Sequence, residues 1–289
     1  MNRMTLMMNP RSRGGRARRV WPIFDDPACR RIVSSDPAEL LDRAIADDAP
    51  VLVAVGGDGT INLALNAAMR RSPHPRLGVL YTGTSPDFCR FHGIPIQPRE
   101  AWATLRRGRA EPVDLCRMTP LTAGGEGTPV WFGCGANLGL GPAVAAGANR
   151  LRPRLGDHLG TFLALMGALR RTRPFDARLS FEEGDPVFLK GLIHLAILKS
   201  DVVASGIRLG VPAAPADGFL HLVAVTRLRA GDLPRIYRGG LPKGAFVRRA
   251  RSVTVETVPS LPFEYDGDPS PVHTPVRIAC ESRALEVIV

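Results

Sequence analysis

Apolar and polar positions along the first third of the chain alternate in a strand–helix rhythm. Thr5–Met8 is a short apolar run, followed by a basic, glycine-bearing loop, Asn9-Pro10-Arg11-Ser12-Arg13-Gly14-Gly15. A second short strand is expected around Ile32-Val33. Asp36-Pro37-Ala38-Glu39 then reads as a helix start, with Asp as N-cap, Pro at the first helical position and Glu at the third. Leu40, Leu41, Ala44 and Ile45 give that helix one apolar face. Val51–Val55 is a wholly apolar run with three β-branched residues, the pattern of a strand buried on both faces. The turn Gly56-Gly57-Asp58-Gly59-Thr60 follows at once. Beyond it, Ile61, Ala64, Leu65, Ala68 and Met69 recur at helical spacing. Leu77–Tyr81 is another strand, ending in Thr82-Gly83-Thr84. A short helix is expected to open with Ser85 as N-cap and Pro86 at its first position, and to close at Gly93 before Pro95.

After about residue 112 the texture changes. Segments 130–138, 176–182, 190–198, 206–212, 219–227, 252–258 and 276–280 read as strands divided by Gly, Pro and Asp turns. One basic amphipathic helix, about Leu155 to Arg171, interrupts them. The pattern predicts a two-domain chain: a Rossmann-like α/β domain with a parallel sheet over residues 1–115, then an antiparallel β-sandwich over 116–289. The boundary is expected near 112–128, around Thr122-Ala123-Gly124-Gly125-Glu126-Gly127, with the C-terminal strand free to return to the first domain.

Composition narrows the partners. A hydrophobic content of 45% is ordinary for a globular protein, but the net charge is +11, carried almost wholly by Arg, with Lys only at 190, 199 and 243. Such an excess suits phosphorylated substrates or an anionic membrane face. Nucleic acid is not expected, because no finger, helix-turn-helix or aromatic-basic RNA motif accompanies the charge. The five cysteines (29, 89, 116, 134 and 280) are scattered without Cys-x-x-Cys spacing, which argues against a disulfide framework or zinc site and fits a cytoplasmic setting. No signal peptide is visible, and the most lipophilic stretch, about Leu159 to Leu169, is too short for a spanning helix. Membrane contact is therefore expected to be peripheral.

The strand–Gly56-Gly57-Asp58-Gly59-Thr60–helix unit carries the strongest chemical signal. Glycines let a phosphate approach the backbone, and amides at a helix N-terminus point at the anion. Thr60 adds a hydroxyl donor. Asp58 would repel a bare phosphate, so its presence implies a bridging cation or an orienting role. A plain tight turn is the competing reading. The Gly-Lys-Ser/Thr element of a Walker A loop is missing.

The turn resembles that of the diacylglycerol kinase catalytic-domain family, which includes sphingosine, ceramide and bacterial lipid kinases. NAD kinases and 6-phosphofructokinases share a similar turn. Further ordered matches choose among these. Asn9-Pro10-x-Ser12-x-Gly14 resembles the family's opening loop, and Gly83-Thr84-Ser85-Pro86-Asp87-Phe88-Cys89-Arg90 its Gly-Thr-x-Asn-Asp-Phe-Ala-Arg motif. Arg154-Leu155-Gly156 resembles a basic-glycine segment opening a helix of the second domain. Pro215-Ala216-Asp217-Gly218 resembles its Pro-x-x-x-Asp-Gly turn, and Asp266-Gly267-Asp268 its late Asp-Gly-Glu.

That resemblance implies an ATP-dependent lipid kinase, phosphorylating a hydroxyl of a diacylglycerol, sphingoid base or related lipid between the two domains. It places Asn9, Ser12, Gly56, Gly57, Asp58, Gly59, Thr60, Thr84 and Asp87 on the nucleotide, with a hydroxyl at Ser34 or Ser35 as a further contact. Asp217, with the carbonyls of Ala214 and Phe219, would hold a Mg2+ ion separate from the one that travels with ATP. Asp268 would be the general base. Read without the resemblance, Asp217-Gly218 is a hairpin turn, Asp266-Gly267-Asp268 a solvated turn, and Thr84 a helix cap in competition with Ser85.

Two positions depart from the family pattern. Asp268 stands where Glu is usual, and Pro86 where Asn is usual, which removes an amide side chain and a backbone N–H. These departures keep a non-catalytic lipid- or nucleotide-binding relative in view beside an NAD kinase-like enzyme. Around the basic helix, Arg150, Arg152, Arg154, Arg170, Arg171 and Arg173 flank apolar Phe162, Leu163, Leu165 and Met166. The reading favoured here packs that apolar face on the sandwich, leaving the arginines to meet anionic headgroups. An exposed sandwich edge permits a homodimer.

Overall fold

The computed structural model describes residues 3–10, 26, 29–203, 206–229 and 231–289. The chain divides into two compact units. One contains the described residues through Leu115, Gly206 and Ser282–Val289; the other contains Cys116–Val203 and Ile207–Glu281. Strands Ala110–Thr122 and Val276–Ile288 each run from one unit into the other.

The first unit is built on β1 (Met4–Met8), β2 (Cys29–Val33), β3 (Val51–Gly56) and β4 (Arg76–Tyr81). They lie in the order β2-β1-β3-β4, every pair parallel, and the end of Val276–Ile288 pairs parallel with β4. β1 and β3 are buried along their whole length. Their runs, apolar except for Thr5, are what a sheet covered on both faces demands. Helix α1 (Pro37–Ile45) starts as expected, with the Asp36 carboxylate accepting from the Ala38 N–H at 2.9 Å. Helix α2 (Asp58–Met69) is buried beyond its predicted face, for Asn62 and Asn66 are also covered and bond to each other at 3.1 Å.

The short helix α3 spans Asp87–His92, one position later than expected. Pro86 is its N-cap and Gly93 its left-handed C-cap. Helix α4 (Pro98–Arg107) was not expected from the pattern, although Pro98 and Gly108 mark its two ends. It buries Leu105 against the sheet so closely that a Cβ on Gly78 would lie 2.3 Å from the Leu105 side chain.

The second unit contains a six-stranded antiparallel sheet in the order Phe246–Ala250, Leu220–Val225, His194–Leu198, Gly135–Gly139, Pro262–Tyr265 and Asp268–His273. A second antiparallel layer is formed by Val187–Leu192, Phe175–Phe181, Ser252–Val258 and the start of Val276–Ile288. Phe132, Leu138, Leu179, Ile197, Leu222, Val255, Phe263 and Ile278 belong to one buried cluster of this unit. The expected strand 190–198 is two strands in different sheets, parted at Ile193. Outer strands of the six-stranded sheet carry Pro269 and Pro271 on one side and Arg248 and Arg249 on the other, residues that discourage strand addition.

The basic helix is Asp157–Arg171, and an unexpected helix, Leu140–Leu155, precedes it, the two parted at Gly156 with φ 77°. They pack so closely that a Cβ on Gly147 would approach Ala164 to 2.9 Å. Gly160, Ala164 and Ala168 are buried, whereas Leu159, Phe162, Leu163 and Met166 are exposed. This reverses the expectation that the large apolar side chains pack on the sandwich. Small residues permit the close helix contact, so the bulky ones at i, i+3, i+4 and i+7 are left outside.

Candidate active site

Residues Gly56 to Thr60 sit where strand β3 gives way to helix α2: Gly56 ends the strand, Gly57 is the N-cap, and Asp58, Gly59 and Thr60 form the first helical turn. The positive end of the helix dipole therefore opens at the carboxyl end of a parallel sheet, where an anion is favoured. Thr60 is buried, and a Cβ on Gly56 would fall 2.2 Å from its hydroxyl oxygen. Gly56 thus lets the helix begin without a collision.

Asp58 gains a partner that the pattern did not suggest. The Tyr81 hydroxyl donates to its carboxylate at 2.9 Å. Parallel register sets Tyr81 opposite Gly56, at the end of the neighbouring strand. Burial first, and then the Asp58 charge, push the Tyr81 phenol well above its ordinary pKa, so it remains a donor. A tyrosine ending a strand beside the glycine turn was the available signal.

The second motif is pinned to the first. A Cβ on Gly83 would lie 2.6 Å from the Gly57 Cα and 2.5 Å from the Tyr81 hydroxyl, and the Thr82 N–H donates to the Gly56 carbonyl at 2.8 Å. Thr84 is exposed just beyond this crossing. Ser85 donates its hydroxyl to Asp87 at 2.9 Å, which corrects its expected role as helix cap. Pro86 is buried and its carbonyl accepts from the Arg90 N–H. Asp87 is the first residue of α3.

Asn9 follows β1 directly. Ser12 lies outside the described residues. Of the two candidate serines after β2, Ser34 is buried, donating to Glu39 at 2.6 Å and accepting from the Asp36 N–H at 3.1 Å. Ser35 is exposed, so it is the one presented for contact. Asn9, Ser35, Gly56–Thr60 and Thr84 all stand at carboxyl ends of the parallel strands.

In the second unit, Asp266 and Gly267 form a turn with φ 49° and 89° between two antiparallel strands. The Asp266 carboxylate accepts three backbone N–H bonds, from Gly133 at 2.9 Å, Cys134 at 2.8 Å and Gly135 at 3.1 Å. It anchors the turn to the strand Gly135–Gly139. Asp268, one residue beyond, stands at the surface. Surrounding protein, and then the negative Asp266, nonetheless raise its carboxyl above the ordinary aspartate value. A raised carboxylate is the better proton acceptor.

Glu264, also absent from the pattern reading, is 4% exposed beneath this turn. It accepts from the Gly267 N–H at 2.6 Å and from Asn137 Nδ2 at 2.8 Å. Burial is the main cause that raises its pKa to about 7, with Asp266 and Asp268 adding to it against those two bonds. Between its ordinary value of 4.5 and about 7, the folded chain keeps a proton that the unfolded chain has lost. Stability therefore falls as pH rises through that window, by about 3 kcal/mol at most, and the loss is complete above it. Glu264→Gln is expected to flatten this slope, narrowing the Tm difference between about pH 5 and about pH 8 by several degrees. A variant with the wild-type slope would show that Glu264 is not its source.

A family model described as "Diacylglycerol kinase catalytic domain" matches residues 3–118, and one described as "YegS C-terminal NAD kinase beta sandwich-like domain" matches residues 136–289. The chain belongs to the diacylglycerol kinase catalytic-domain family. Among its relatives, a protein of Xanthomonas oryzae pv. oryzae named "Probable lipid kinase YegS-like" is 29% identical over 257 residues, covering 85% of this chain and 80% of that protein. A "Diacylglycerol kinase" of Mycobacterium tuberculosis is 28% identical over 261 residues, covering 88% and 81%. In fold, the chain is similar to a diacylglycerol kinase of Bacillus anthracis (TM-score 0.71, 17% identity, 99% and 96% covered). It is similar also to yeast NADH kinase in complex with NADH (TM-score 0.52, 10% identity, 99% and 82% covered). The chain is thus a kinase by family, and among the described residues no helix is long and apolar enough to cross a membrane.

The family resemblance implied Mg2+ on Asp217 and the carbonyls of Ala214 and Phe219. These three do converge, but on an amino group. Lys199 Nζ donates to Asp217 Oδ1 at 2.5 Å, to the Ala214 carbonyl at 2.8 Å and toward the Phe219 carbonyl at 3.4 Å. The Asp217 carboxylate also accepts from the N–H groups of Ala214 and Phe219. Burial alone would raise Asp217, but the Lys199 bond and these N–H groups hold it below its ordinary value. A magnesium ion demands oxygen ligands at about 2.0–2.1 Å, and here the same oxygens face an ammonium. The residues present do not fit the ion. A lysine closing the apolar run His194–Leu198 was the signal in the sequence.

Proposed function

We propose that this kinase transfers the γ-phosphoryl group of ATP to the hydroxyl of a lipid. The observation that carries the nucleotide half is the α2 N-terminus opening beneath Gly57, with Asp58 steadied by Tyr81 and the Gly83 backbone lying across it. Backbone amides and the helix dipole receive the phosphates there. Asp58 and Asp87 are the carboxylates that would face a magnesium ion arriving with the nucleotide, which supplies charge neutralisation on the phosphates when bound. Asp268 takes the proton of the acceptor hydroxyl as its oxygen bonds to phosphorus, and ADP leaves with the electrons of the broken bond.

Support for a lipid acceptor comes from the names of the relatives and from the outward apolar face. Leu159, Phe162, Leu163 and Met166 project from Asp157–Arg171, with Arg154, Arg170, Arg171 and Arg173 exposed around them. An apolar stripe with cationic flanks suits the interface of an anionic membrane. It would bring the enzyme to its substrate without a spanning segment.

Labelled ATP offered with diacylglycerol, sphingosine and NAD tests both halves. Label is expected in a lipid extract, and turnover on vesicles containing anionic phospholipid should fall severalfold in Phe162→Asp while turnover on a dispersed short-chain acceptor is kept. Label on NAD and on no lipid would overturn the lipid reading. Equal loss on both acceptors in Phe162→Asp would overturn the membrane face.

A further inference from the structure

The oxygens of Asp217, Ala214 and Phe219 surround one of only three lysines in a chain that otherwise draws its positive charge from arginine. Lys190 and Lys243 are exposed, but Lys199 is 0% exposed. Its backbone is fixed as well, its N–H donating to the Cys134 carbonyl at 2.8 Å. An ammonium has three donors on a compact head, and here it meets one carboxylate and two carbonyls. A guanidinium, planar and larger, does not match a site whose oxygens close around a point.

We propose that the Lys199 ammonium is the resident cation of the 214–219 turn, so that this domain is held by a side-chain charge where the family resemblance implies a divalent ion. The charge balance supports this. The buried Lys199 and the partly exposed Asp217 neutralise each other, and a divalent ion on the same oxygens would add two uncompensated charges beside the buried ammonium. The need for magnesium in this protein then lies with the nucleotide alone. A single substitution, removing the amino group, would expose the oxygen set to metal.

The test uses the nucleotide-free full-length chain and reads metal binding and unfolding, so that magnesium bound to ATP does not enter. Wild-type Tm is expected to be the same in excess EDTA and in millimolar Mg2+. Lys199→Ala should melt well below wild type in EDTA and recover part of that loss, saturably, as Mg2+ is added. Mn2+ titrated under electron paramagnetic resonance should gain one tight site in Lys199→Ala, absent from wild type and removed again by Asp217→Asn in the Lys199→Ala background. Two results would overturn the proposal: a wild-type Mn2+ site abolished by Asp217→Asn, or a folded Lys199→Ala protein indifferent to divalent ions. If Lys199→Ala does not fold in either condition, the comparison of wild type with Asp217→Asn decides alone: no Asp217-dependent Mn2+ site supports the proposal, and its presence overturns it.

Discussion

Asp268→Asn is expected to lower kcat for lipid phosphorylation by about 10²–10⁴-fold, the range that a positioned general base contributes. Nucleotide affinity should be unchanged, and Tm should not fall, because a carboxylate with a raised pKa costs the fold stability once ionised. The carboxylate stands at the surface at the start of an outer strand, so the amide fits the same space without disturbing the core. What the variant loses is the ability to accept a proton. In wild type, partial burial and the neighbouring Asp266 raise the Asp268 pKa, so the acidic limb of kcat should lie above the pH of an ordinary aspartate and vanish in the variant. Asp268→Glu restores the side-chain length usual in the family and should retain most of the activity. Full lipid phosphorylation by Asp268→Asn, measured with labelled ATP, would remove Asp268 from the mechanism.

Two residues earlier, the expected effect is on stability. Asp266→Ala leaves the N–H groups of Gly133, Cys134 and Gly135 without their acceptor. Stranding partly buried donors costs about 1 kcal/mol or more each. The φ of 49° adds to this, because a left-handed backbone suits Asp better than Ala. A loss of about 3–5 kcal/mol follows, roughly 10 °C in Tm. Asp266→Asn keeps the backbone preference and one accepting oxygen, and should lose about half as much. Thermal and denaturant unfolding of the two variants checks this, and an alanine variant as stable as the asparagine one would refute it. The contrast with Asp268 matters: adjacent carboxylates of one motif are expected to fail differently, one in turnover and one in folding.

Much of the first unit was legible along the chain. β1, β3 and β4 are mostly apolar runs, α1 opens on Asp36-Pro37, and α2 follows a glycine turn. Those features depend on neighbours a few residues away, and periodicity records them. The second unit was legible as alternating strands, but Asp268–His273 was missed because two prolines mask an outer strand. Helix Leu140–Leu155 was missed, and Asp157–Arg171 turned the opposite face to that expected. Periodicity shows that a helix has an apolar stripe, whereas which stripe is covered depends on the close contact of Gly147 with Ala164.

Pattern along the chain was enough for the strand–turn–helix at Gly56–Thr60, the two-part architecture and the family. What each charged group meets was set by the folded chain: Asp58 with Tyr81, Asp266 with three amides of the distant segment 133–135, Glu264 with Asn137, and Asp217 with Lys199. These partners lie 18 to 133 residues apart. Local preferences are set by the backbone of a few successive residues, but a buried charge is satisfied by whatever the fold brings beside it. Only the assembled sheets could place an ammonium where the motif alone implied a metal.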